Sequence, residues 1–189
     1  MDWFFNLTHQ VLDPVAWKTI LSNFRWVDWF TTAFFVTGLL YGIKQGLLRE
    51  IVEILEAVLV VFVVFHFYKK AGAFITSQVK VLPGKYAYFS AFVVIAGALL
   101  YAVKIIDGFL SKLLHTNLFA PLRLFGGAAL GVAHVLLLWS LFAAGISLLP
   151  VGKMQRAFEP GASQTGHKIR QIAPEVYQFT AKLLGQRPR

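Results

Sequence analysis

Cysteine is absent from the 189 residues, which excludes disulfides, thiolate catalysis and Cys-based zinc or iron–sulfur centres and leaves the compartment open. Charge is scarce as well: 14% of residues are Asp, Glu, Lys or Arg, against 57% hydrophobic and 15% aromatic. A water-soluble domain of this length cannot hide so much apolar surface, so the composition reads as that of an integral membrane protein. His9, His66, His115, His134 and His167 show neither H-x-x-x-H nor H-E-x-x-H spacing, and P-loop, Rossmann and nucleophile-elbow motifs are missing. An enzyme is therefore the least favoured class, and no cofactor or catalytic residue is expected. The start is acidic at Asp2 and interrupted by Asn6, His9 and Asp13, which argues against a cleaved signal peptide.

What charge there is has one dominant sign. Eighteen Lys and Arg against nine Asp and Glu give +9, and the basic residues sit between or after apolar stretches. That placement fits contact with anionic lipid headgroups and gives no reason to invoke nucleic acid.

The pattern predicts an all-α polytopic membrane protein with four transmembrane helices and additional interfacial amphipathic helices. Residues 1–25 form an N-terminal extension in which Asp13-Pro14 can open a short interfacial helix. Residues 26–150 form the membrane domain, with spans near 27–45, 47–68, 86–106 and 124–149. The third helix continues amphipathically along the surface toward Thr116-Asn117, with Lys104 and Asp107 spaced to pair. Residues 69–85 read as a polar connection, and 151–189 as a basic polar tail with one possible amphipathic helix from Pro174 to Leu184.

Two features stand out inside the domain. Gly38, Gly42 and Gly46 recur every four residues, which bares one helix face for close approach by another helix; the alternative use is to thin a pore wall. The second span carries acids: with Arg49 at zero on a helical wheel of about 100° per residue, Glu53 falls near about 40° and Glu56 near about −20°, with Glu50 to the side. An unpaired carboxylate in mid-bilayer costs roughly 2.5–3.5 kcal/mol. The stripe is then either a pairing network that anchors the hairpin or a cation or proton site in a conducting path. His134, in the fourth span, is open to the same two readings: a relay, or a hydrogen bond to Ser140, a backbone carbonyl or another helix.

From Trp26 to about Pro150 the chain resembles the colicin V production protein (CvpA) family of bacterial inner-membrane proteins. The resemblance rests on W-x-D at Trp26-Val27-Asp28 and on G-x-x-R-E at Gly46, Arg49 and Glu50 after Lys44. It continues in a glycine-rich fourth span read at Arg123, Gly127, Gly131 and His134, where Leu122 replaces the family's usual acid and His134 its common arginine. The resemblance implies a multi-pass inner-membrane protein that acts as a scaffold or accessory factor in colicin V production or export and in cell-envelope homeostasis. A homo-oligomer or another membrane protein is the expected partner. The alternative function is a subunit of a small oligomeric ion channel or transporter. An even number of crossings puts both termini on one side. Thirteen Lys and Arg flank that side against five on the other, but seven of the 13 lie in the tail, where the positive-inside rule has little force. Family domains fused to extracytoplasmic proteases imply external termini, which is the orientation chosen.

Overall fold

The computed structural model describes residues 25–78, 83–110, 120–149, 152–159 and 161–185, so the expected interfacial helix in the N-terminal extension lies outside the described residues. Within them the protein is helical, and no strand occurs. Its elements are α1 (Trp26–Gln45), α2 (Leu47–Gln78), α3 (Gly84–Leu110), α4 (Ala120–Leu148), the short α5 (Gly152–Arg156) and α6 (Gly166–Leu183).

Three of these helices are long and apolar enough to cross a membrane: Leu47–Gln78, Gly84–Gly108 and Arg123–Leu148. Helix α1, the expected first span, is not among them. Three threonines, two glycines and a buried Asp28 dilute its apolar character, although its 20 residues would extend about 30 Å at ~1.5 Å per residue.

The chain reverses between α1 and α2 at Gly46, whose φ of +87° is a conformation that a Cβ disfavours. The two arms of this hairpin then separate. Helix α1 packs chiefly on α4, and α2 packs on α3 and α4, while α1 and α2 touch each other only sparingly. The reason lies in the glycines. A Cβ placed on Gly38 would come within 2.7 Å of the Gly131 carbonyl oxygen, and one on Gly42 would collide with that of Gly127. Bare backbone on both helices lets α1 and α4 approach this closely, which no larger side chain permits.

Helix α2 is 32 residues long, ten more than the expected 47–68 span. Residues 69–78 of the expected polar connection continue the helix, because they contain no proline and because Gly72 is buried against Tyr88 of α3. Helix α3 reaches Leu110; the expected continuation to Thr116-Asn117 lies outside the described residues.

The tail differs most from its reading as a polar appendage. Helix α6 starts eight residues before the expected Pro174, and Ser163 Oγ accepts the Gly166 amide at 2.9 Å as it begins. Ile169, Ala173, Tyr177 and Ala181 form a buried stripe at the spacing of one helical face. That stripe lies across α4 and α2, where Tyr177 stacks on Phe65 with centroids 5.7 Å apart. Pro174 lies inside α6, has no N–H and crowds the preceding turn. The adjacent Ala173 amide is given to Ser140 Oγ of α4 at 2.7 Å. Two apolar clusters result, one where α2, α3, α4 and α6 meet and one where Val27, Trp139, Phe158 and Ile169 meet.

Candidate functional site

Asp28 is 0% exposed, yet its carboxylate is well provided with donors. It accepts the Arg25 amide at 3.1 Å, the Thr165 amide at 2.9 Å, the Thr165 hydroxyl at 2.6 Å and the Gln164 amide at 3.4 Å. One carboxylate therefore caps the start of α1 and holds the turn that leads into α6. Beside it, Trp139 Nε1 donates to Thr31 Oγ1 at 3.0 Å, and Thr31 in turn donates to the Val27 carbonyl at 2.8 Å. Trp26 packs edge-on against Phe158 at 5.9 Å between centroids. Sequence reasoning singled out Trp26 and Asp28 without seeing their distant partners Phe158, Gln164 and Thr165, more than 130 residues away.

The second polar centre lies toward the opposite end of the bundle. Arg49 Nε and Glu53 Oε1 are 3.0 Å apart, one turn apart on α2. The other oxygen of Glu53 lies 3.2 Å from His134 Nδ1 on α4. Glu50 Oε2 lies 3.9 Å from the same nitrogen, and neither Glu50 oxygen accepts a hydrogen bond although the residue is fully buried. His134 thus faces another helix, while Ser140, an alternative partner for it, serves α6. Glu56 faces Asp107 of α3.

Arg49, Glu53, Glu56, Asp107 and His134 line a cavity of about 380 Å³ between α2, α3 and α4, with Tyr41 of α1 on its wall. Arg49 and Lys104 bring two fixed positive charges to its wall; Glu53, Glu56 and Asp107 bring three carboxyls, and Glu50 is a fourth behind His134. Lys104 and Asp107, read from sequence as part of an amphipathic surface helix, are thus brought to the acids of α2. No period in the sequence reveals this, because it depends on which face of α3 meets α2. The expected glycine set takes a separate role in the geometry: Gly38, Gly42, Gly127 and Gly131 form the α1–α4 contact, and Gly46 abuts the Arg123 side chain.

Long apolar helices joined into one bundle, with a polar cluster held among them, define a multi-pass helical membrane protein. A family model described as Colicin V production protein matches residues 27–165. The chain belongs to that family, and the match carries beyond α4 to Thr165, the residue that Asp28 grips. Searches of curated proteins and of solved structures found no match.

Proposed function

We propose that this protein is a non-enzymatic scaffold of the bacterial inner membrane, serving colicin V production or export and envelope homeostasis through helix-mediated association with membrane partners. Family membership over residues 27–165 is the observation that carries this reading. Large apolar side chains left exposed on α2 and α3, among them Leu55, Leu59, Val94 and Tyr101, provide faces for lipid, for a second copy or for another membrane protein. A photo-crosslinking residue at Leu59 or Tyr101, activated in native membranes, should give discrete protein adducts. Adducts with lipid alone at both positions would refute association.

In this reading α1 is a fourth crossing, since Asp28 and Thr31 face α4 and the turn before α6, and the exposed Thr32 and Thr37 give their hydroxyls to carbonyls of their own helix. The Asp28 to Thr165 contact supports an even number of crossings, because it joins the start of α1 to the chain after α4. Both termini then share one side, proposed as extracytoplasmic. Alkaline phosphatase and fluorescent protein fusions at the C-terminus should give phosphatase activity and no fluorescence; the reverse would place the termini in the cytoplasm.

The polar cavity favours a second reading, a subunit of an ion-conducting oligomer. Flux in proteoliposomes that is abolished by Glu56→Gln would support it, and silence in a well-reconstituted preparation would leave the scaffold.

A further inference from the structure

We propose that Glu50, Glu53 and His134 form a binding site for a single transition-metal dication of the zinc type. The inference holds whether the protein is a scaffold or a conductor. It begins with Glu50, which is fully buried and has two carboxylate oxygens that accept no hydrogen bond. A buried carboxylate left without donors is costly unless it takes up a proton or a cation completes it, and the ligand atoms beside this one favour the cation. His134 Nδ1 is the nearest basic atom, and at 3.9 Å it is too far to hydrogen-bond.

One ligand atom from each of the three residues lies within 4.8 Å of the other two. Zinc binds imidazole nitrogen and carboxylate oxygen at about 2.0–2.2 Å, so tetrahedral ligands around it stand about 3.3–3.6 Å apart. The observed separations of 3.2 Å and 3.9 Å from His134 Nδ1 bracket that spacing, and small side-chain rotations would close the set on one ion. The mixed N and O donor set selects zinc or cobalt over calcium and magnesium, which prefer oxygen ligands alone.

The surroundings fit as well. Arg49 holds Glu53 by Oε1 and leaves Oε2 directed at the cluster, as the outer partner of a metal-binding carboxylate does. Four carboxyls, those of Glu50, Glu53, Glu56 and Asp107, stand against the two fixed cations Arg49 and Lys104. The acids thus outnumber the fixed cations, and a dication held with a neutral His134, as a metal ligand must be, offsets that excess. The cavity gives the ion an approach and leaves room for water at a fourth coordination position.

The test uses the full chain without a histidine tag, purified in detergent, stripped with chelator and titrated with Co²⁺ alone. One equivalent should bind with the visible absorption of a four-coordinate site, and Zn²⁺ should displace it. Glu50→Gln and His134→Ala should each weaken binding about 100-fold or more, since loss of even an outer partner costs roughly 10–100-fold. His66→Ala, about 20 Å farther along α2 at ~1.5 Å per residue, should leave binding unchanged. Failure of wild type to bind one equivalent overturns the proposal, as does full affinity in folded Glu50→Gln and His134→Ala. A measurement on wild type alone guards against misfolded variants: zinc-edge X-ray absorption of the loaded protein should show one imidazole among oxygen ligands at about 2.0–2.2 Å. A shell without imidazole overturns the site.

Discussion

Replacing Asp28 with alanine removes an acceptor that serves four donors at once, and the consequence should be felt at both ends of the chain. The three shortest bonds, at 2.6, 2.9 and 3.1 Å, each join a donor to a fully buried carboxylate. A hydrogen bond to a charged group contributes about 1.5–3 kcal/mol, but the freed donors of Arg25 and Thr165 are only partly buried and regain water. We therefore expect a net loss of about 3–4 kcal/mol, near the upper range for single substitutions. For a chain of this size that lowers Tm by roughly 6–16 °C. Thermal unfolding in mild detergent measures the loss. Limited proteolysis separates its cause, because release of the 163–165 turn should expose α6 to cleavage at Lys168 and Arg170 before the bundle unfolds. Asp28→Asn, which keeps one acceptor oxygen, should lose about half as much. A loss below about 1 kcal/mol for Asp28→Ala, with α6 still protected, would refute the idea that this carboxylate clasps the tail to the bundle.

Other substitutions report on the two remaining features. Gly42→Leu should reduce folded yield sharply, because the new side chain would meet the backbone of Gly127 on α4, whereas Ala33→Leu on the exposed face of α1 should be tolerated; equal yields in detergent would remove the packing role. Arg49→Ala and Glu53→Gln should be coupled in a thermal double-mutant cycle, with the double variant less impaired than the sum of the singles. Glu53 is 6% exposed and Arg49 38%, so the coupling should lie between that of a solvated pair, at about 0–1 kcal/mol, and the roughly 3–5 kcal/mol of a fully buried one. It should also fall only slightly with added salt; strict additivity would mark the corner as a solvated turn.

Much of the architecture follows from local pattern. Long apolar runs must find lipid or other helices, so an all-helical bundle was legible from composition and run length, as was family membership from the spacing of Trp26, Asp28, Gly46, Arg49 and Glu50. The acids on α2 were legible as a stripe because a helical period is a local property. What faces that stripe was not. Glu53 reaches His134 and Glu56 meets Asp107 only because α2 packs between α3 and α4, and sequence position does not encode the rotation of one helix against another. The glycines announce a close approach without naming the partner; the tertiary structure pairs α1 with α4 and leaves the sequence-adjacent α2 aside. The tail is the clearest case. Its charge reads as that of a basic polar tail, and its apolar residues at 169, 173, 177 and 181 are too sparse to prove a packed helix alone. A helix with so little apolar surface gains most of its stability from what it lies against, and here that support is the Phe62 and Phe65 face of α2, the Ser140 hydroxyl of α4 and the buried carboxylate of Asp28.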